Sequence, residues 1–187
     1  MDIKDTLAHV YLVSGKARHG KDTFSSYLKE CYEEAGKKVI VTQLSKYIKY
    51  YAREMTGWNL TEEDKPRTLL QQLGTDVIRE HLNKEDLFIN RMIEDIEIFS
   101  CFYDAIIISD VRFKREIDGV KAAYPDAVAV NIFRPNFDNG LTEEQKKHKT
   151  EIDLDDYDKF DVKIINTTLD VLKEDAKKLY TEVEKQV

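Results

Sequence analysis

Apolar residues recur along this chain with two periods, and the two alternate. "HVYLVS" (9–14) is an unbroken β-branched and aromatic run ending at Gly15, the pattern of a buried strand. "KDTFSSYLKECYEEAG" then sets Phe24, Tyr27, Leu28, Cys31 and Tyr32 at helical spacing, with Gly36 as the stop. "KKVIVTQL" (37–44) reads as a second strand, and "SKYIKYYAREMTGW" (45–58) as a helix ending near Gly57. A helix over 61–82 opens with acidic residues and Pro66 and carries Leu69, Leu70, Leu73 and Val77 on its apolar face. Another, over 85–99, presents Phe88, Met92, Ile96 and Phe99. "YDAIIISD" (103–110) is the most strand-like stretch. After it the pattern predicts a helix (114–123), a strand (126–133), a polar loop (134–159), a strand (161–166) and a closing helix through Leu169, Leu172, Ala176, Leu179 and Val183.

Strands alternating with helices imply βα units: an α/β fold with a mainly parallel sheet flanked by helices on both faces. The chain of 187 residues is 42% hydrophobic, enough for one core, and no repeat or linker marks a boundary, so residues 1–187 are expected to form a single domain. A formal charge of -7 argues against a nucleic-acid polymer as partner. Cys31 and Cys101 show no metal-ligand spacing and read as core thiols in a reducing compartment. The beginning of the chain lacks the pattern of a secretory signal and no later run approaches a membrane span; the expectation is a cytoplasmic protein with no membrane partner.

The candidate chemistry sits between the first strand and the first helix. In "SGKARHGKDT" Gly15 and Gly20 occupy the two ends of GxxxxGK, followed by Lys21. Such a loop turns backbone N–H groups inward around an anion, and the helix that follows adds its dipole. Gly15, Lys16, Ala17, Arg18, His19, Gly20, Lys21, Asp22 and Thr23 are therefore the candidate phosphate cradle. Asp22 stands where Ser or Thr would hold Mg²⁺; a carboxylate can do so directly or through water, or it can simply complement the helix dipole. Thr23 remains available for an α-phosphate. Arg18 is the candidate for contact with a transferred phosphoryl group, and Lys16 the one more suited to a solvated position.

Asp110 ends the apolar run "AIIIS", where it can face a metal across the sheet edge or cap the helix beyond. Arg112 follows at the carboxyl end of that strand, where ligands of open α/β sheets bind. Arg67, Gln71, Thr75 and Arg79 recur every four residues and share a stripe with Gly74, which fits either a pocket for a phosphate and a base or a plain polar surface. Tyr47, Tyr50, Tyr51 and Trp58 can line such a pocket or pack. The loop 134–159 is long and polar enough for a lid, and its His148 and Glu151 fall in "HKTE".

With these residues in view, the chain resembles the bacteriophage-type deoxynucleoside monophosphate kinases, within the P-loop kinases. "SGKARHGKDT", "LSKYIKYYA", "RTLLQQLGTDVIRE", "ISDVRFKREID", "HKTE" and "FDVKIIN" match in order over most of residues 10–167. GKDT in place of GK[ST] marks this family and its relatives, the animal-type phosphomevalonate kinases. "SKY" before Ile48 and Lys49 departs from the Ala-Asp-Pro-like turn of the family. The resemblance implies a P-loop NTPase three-layer αβα fold, and ATP and Mg²⁺ as cofactors. It also implies transfer of the γ-phosphoryl to a (deoxy)nucleoside monophosphate. Arg18, Lys21, Asp22 and Arg112 fall on its catalytic positions, Asp22 and Asp110 on the metal side, and Arg134 at the start of the lid. Lys49, Arg67, Gln71 and Arg79 fall on the acceptor side, with acceptor helices at about 45–99; His148 and Glu151 match a motif of the family without an assigned role, and Gly74, Asp110 and Glu151 are added as candidate substrate contacts. The rivals are a phosphomevalonate kinase-like enzyme and a nucleotide-binding sensor without transferase activity. A homodimer is compatible with all three.

Overall fold

The structure is a computed structural model and describes residues 3–185; the first two and last two residues lie outside it. Five parallel strands, β1 (His9–Ser14), β2 (Val39–Thr42), β3 (Ala105–Val111), β4 (Val128–Phe133) and β5 (Val162–Ile165), form one sheet in the order β2-β3-β1-β4-β5. Around it stand helices α1 (Lys21–Glu34), α2 (Lys46–Thr56), α3 (Arg67–Gln71), α4 (Leu87–Ser100), α5 (Lys114–Ala123), α6 (Glu143–Lys146), α7 (Lys149–Ile152) and α8 (Leu169–Glu184).

The central strands are unbroken apolar runs because both of their faces are covered. Leu12, Ile106, Ile108 and Ala129 pack beneath α4 and α5 with Phe88, Met92, Ile96, Ile117 and Val120. Tyr11, Val13, Ile107, Val130 and Ile132 face the other way, against Phe24, Leu28 and Tyr32 of α1 and Leu172, Ala176 and Leu179 of α8. Since β1 lies between β3 and β4, the chain leaves it to one side and returns to the other. The crevice at its carboxyl end is thus the topological switch point, where ligands of such sheets bind.

The expected helix over 61–82 differs most from its pattern. It begins only at Arg67, after Pro66, and from Gln72 to His81 it is a π-helix. Hydrogen bonds that reach five residues instead of four shift each successive turn by one position. The buried face becomes Leu73, Gly74 and Ile78, while Val77, expected inside, is 39% exposed. Gly74 lies against Ile48 of α2 so closely that an added Cβ would stand 2.9 Å from Ile48 Cδ1. Leu169 begins α8 exposed. Cys31 and Cys101 are half-buried free thiols, not core ones: Cys31 lies in α1 and Cys101 just past the end of α4. Among the described residues no helix is long and apolar enough to cross a membrane.

Candidate active site

The loop between β1 and α1 owes its path to two glycines. Gly15 (φ 144°) and Gly20 (φ 101°) adopt backbone conformations that side chains resist. Both also meet close neighbours: a Cβ on Gly15 would lie 2.4 Å from the Ile132 carbonyl oxygen of β4, and one on Gly20 2.5 Å from Asn166 Nδ2. Asn166, buried just beyond β5, donates to the His19 carbonyl at 3.0 Å and so pins the loop from behind. His19 is buried as well, against Phe133 and Phe137, and its Nδ1 accepts the Arg134 N–H at 3.1 Å. Burial, assisted by Lys21, lowers the His19 pKa and favours the neutral ring that such an acceptor requires. The Arg134 guanidinium in turn stands 4.0 Å from the centre of the Phe137 ring.

Lys21, in the first turn of α1, is buried and its ammonium donates to the Lys16 carbonyl of its own loop at 3.0 Å. Burial, and then the nearby Arg112 guanidinium, bring its pKa down to about 8. Asp22 beside it is exposed, and Thr23 is half-buried in the same turn. Arg18 has φ 60° and donates to the Asn139 carbonyl at 3.0 Å, tying the loop to the start of segment 134–159. Lys16 pairs with Asp155 at 2.8 Å on the surface.

Arg112 leaves the end of β3 and crosses to the loop. Its Nη1 donates to the Gly15 carbonyl at 3.2 Å and to Glu151 Oε1 at 2.8 Å. The other Glu151 oxygen accepts the Ala17 N–H at 3.0 Å, so a carboxylate from α7 lies on the phosphate-loop backbone. His148, three residues before Glu151 in "HKTE", has a structural place too. Its Nδ1 meets Thr150 at the start of α7, and its Nε2 lies 2.8 Å from Gln71 Nε2.

Two cavities adjoin the loop. One, of about 450 Å³, runs from Gly15, Lys16 and His19 past Phe133 and Ile165 to Tyr157 and Phe160. The second, of about 460 Å³, is bounded by Ala17, Arg18, Lys21 and Asp22 on the loop side and by Lys49, Arg79, Asp110 and Arg112 opposite. Arg112 and Thr150 border both.

The second cavity thus gathers Lys49, Arg79, Asp110 and Arg112 from three separate parts of the chain. Asp110 does more than face it: its two oxygens accept the N–H groups of Leu44 (2.7 Å) and Ser45 (3.0 Å), holding the turn before α2. Gly74 stands behind the wall, its carbonyl accepting from Arg79. Arg67 and Gln71 lie outside: Arg67 is 73% exposed beside Glu62, and Gln71 reaches His148 instead. The π-helix explains the split, because it rotates Arg79 away from the stripe that four-residue spacing drew. The aromatic residues of α2 and Trp58 just beyond it are not the lining either. Tyr47 bonds to Asp95, Trp58 packs with Ala52 and Leu73, and the rings at the cavity are Phe88 and Phe113. Sequence reasoning also missed Gln43, Glu116 and Asn166. Glu116 alone had a local signal, a glutamate in the first turn of the helix after "VRF".

A family model described as deoxynucleotide monophosphate kinase matches residues 42–176, well over half of the chain. No curated protein matches the sequence. Among solved structures, the chain is similar to an APS kinase of Mycobacterium tuberculosis in complex with AMPPNP and APS. That match has TM-score 0.57 and 8% identity, over 96% of this chain and 98% of the other. It is also similar to shikimate kinase from Acinetobacter baumannii in complex with shikimate, with TM-score 0.53 and 15% identity over 97% and 96%. A third, a sugar kinase from Janibacter, matches with TM-score 0.54 and 13% identity over 95% and 96%. At such identities these likenesses establish the fold, that of the P-loop kinases. A parallel five-stranded sheet, a phosphate-type loop at its switch point and the family match agree: the chain belongs to the deoxynucleotide monophosphate kinase family, kinases of small molecules.

Proposed function

We propose that this protein transfers the γ-phosphoryl group of ATP to the phosphate of a (deoxy)nucleoside monophosphate. The observation that carries the reading is the pair of similar cavities on either side of the loop, meeting at Arg112, with Lys21 at the second. Each is of a size to hold a nucleotide-scale ligand. ATP would lie with its base toward Phe133, Ile165 and Arg134 and its phosphates along residues 15–21. The acceptor would enter beneath Lys49 and Arg79. One of its phosphate oxygens attacks the γ-phosphorus in line as the bond to the β–γ bridging oxygen breaks, and ADP departs with that oxygen. No general base is required, since the attacking oxygen is already anionic near neutral pH.

Positioning and charge do most of the catalysis in such a transfer. Protonated Lys21 and Arg112 face the phosphates, and Arg18 closes the loop against the lid, residues 134–159. Because Glu151 occupies the Ala17 N–H and Arg112, a polyphosphate must displace its carboxylate to lie on the loop.

The donor set suits Mg²⁺. The described residues contain no group of three or more His, Cys, Asp or Glu placed to hold a metal alone. This is what an ion held chiefly by substrate phosphates leaves to the protein: one or two carboxylates. Exposed Asp22 would hold it, with Asp110, already bonded to two N–H groups, acting through water. When bound, Mg²⁺ neutralises charge on the β- and γ-phosphates.

An ADP-release assay with each dNMP, each NMP and phosphomevalonate tests the reading. ADP production with one or more monophosphates is expected, together with its loss in Lys21→Ala at an unchanged unfolding temperature. Undiminished turnover in Lys21→Ala, or ADP production with phosphomevalonate only, would refute it.

A further inference from the structure

Glu116 is fully buried in the first turn of α5, yet it reaches three separate groups around the second cavity. Oε2 accepts the Arg112 N–H at 2.8 Å and the Phe113 N–H at 3.1 Å. Oε1 faces Arg79 Nη2 at 3.4 Å. Closing the N-terminus of α5 needs only the first oxygen. The second is turned inward, where an unneutralised carboxylate is costly, and a guanidinium from the π-helix meets it.

Arg79 is held on every side. Its Nη1 donates to the Gly74 carbonyl at 2.8 Å, and its guanidinium carbon lies 5.3 Å from the centre of the Phe88 ring and 4.9 Å from that of Phe113. A guanidinium has five N–H groups, so N–H groups remain for a ligand in the cavity. Gly74 and Arg79 are five residues apart, neighbours on a π-helix and not on an α-helix, so this clamp depends on the π geometry. The same carboxylate that orients Arg79 fixes the backbone from which Arg112 reaches the phosphate loop.

We propose that Glu116 is a positioning residue for the phosphoryl acceptor: while one of its oxygens holds the Arg112 and Phe113 N–H groups, the other sets the Arg79 guanidinium to grip the acceptor's phosphate monoester. This rests on the acceptor reading given above. Loss of the Glu116–Arg79 contact alone should weaken acceptor binding and leave the donor loop as it was, so long as the other oxygen still holds the Arg112 N–H.

Glu116→Gln tests this. Its amide oxygen can keep the two backbone N–H groups, which turns the NH₂ against the Arg79 guanidinium, donor to donor. With the monophosphate the wild type uses best, the acceptor KM should rise about tenfold or more, while the ATP Kd stays within about twofold. In an Arg79→Met background the same change should add less than about twofold, since residues acting as a unit do not add. A purely architectural role would impair both substrates and multiply in the double variant. An unmoved acceptor KM, a parallel loss of ATP affinity, or full multiplication overturns the inference. Glu116→Asp, which keeps the charge but retreats from Arg79, should raise the acceptor KM likewise and serves if the glutamine variant does not fold. If neither folds while Arg79→Met does, Glu116 is architectural and the inference fails. Wild-type protein that turns over no monophosphate refutes the acceptor reading itself; wild-type turnover with an unmoved KM in Glu116→Gln refutes only the positioning role.

Discussion

Glu151 should weaken nucleotide binding by its presence, an unusual role for a residue at the centre of a kinase site. Its carboxylate, with 10% of the side chain exposed, takes the Ala17 N–H at 3.0 Å and Arg112 at 2.8 Å. A β- or γ-phosphate requires the same two donors. Charge-assisted hydrogen bonds contribute roughly 1.5–3 kcal/mol each when well buried. Arg112 is 25% exposed and Glu151 regains water when displaced, so about 1 kcal/mol per contact is the reasonable figure. Two contacts then correspond to about 2 kcal/mol, or roughly thirtyfold in affinity. Glu151→Ala should therefore tighten ADP and ATP binding by about tenfold to thirtyfold in isothermal titration, and Glu151→Gln by less, since an amide oxygen can still accept from Ala17. Removing any nearby acid would favour an anion somewhat, and Asp155→Asn controls for that. Asp155 lies on the same segment but pairs with Lys16 at the surface, 49% exposed, and its loss should change affinity by less than about twofold. Equal effects of the two variants, or weaker binding in Glu151→Ala, would refute the placeholder role.

Lys21 gives the pH dependence. Its folded pKa of about 8 lies below the usual 10.5, so the unfolded chain binds more protons between those values and stability gains from this group as pH rises through that window. Nucleotide binding has the opposite sign, because the phosphates need the ammonium: without Mg²⁺ the ADP Kd should rise above pH 8 by up to about tenfold per unit, and a flat profile from pH 7 to 9.5 would contradict the assignment. Gly15→Ala should lower unfolding free energy by about 3 kcal/mol or more in urea titration. Its Cβ would press on a backbone carbonyl of β4 at a φ that side chains resist, and near-native stability would show that the loop is not held as described.

The sheet was legible because parallel strands covered on both faces leave continuous apolar runs, and "AIIIS" between polar ends admits little else. The phosphate loop was legible because its glycines answer to backbone geometry within ten residues. What failed depended on helix geometry and on partners distant in sequence. Four-residue spacing aligned Arg67 and Gln71 with Arg79, but over Gln72–His81 the π-helix breaks that spacing, and of the three only Arg79 borders the cavity. Tyr47, Tyr50, Tyr51 and Trp58 were plausible lining by composition. Phe88 and Phe113 took that place because they lie at the ends of elements that converge on the carboxyl edge of β3. The bonds that Asp110 accepts from Leu44 and Ser45 have no local signal, because that turn lies some 65 residues earlier in the chain.

The acidic residue after Lys21 acquires its meaning from the others around the loop. Lys16, Arg18, Lys21 and Arg112 bring four cations to it, and Asp22, Glu151 and Asp155 bring three carboxylates, so the loop is met by most of its own counter-anions. Two of these, Glu151 and Asp155, lie on one short stretch outside the loop, whereas Asp22 belongs to the first turn of α1 itself. On the proposed reading, a polyphosphate would displace Glu151 from Ala17 and Arg112 and leave Asp22 beside it. A hydroxyl at that position would require no compensation, whereas a fixed carboxylate next to a triphosphate is tolerable only with a cation between them. On the proposed reading, the aspartate of "GKDT" is therefore expected to tie nucleotide affinity to Mg²⁺ more tightly than a serine would.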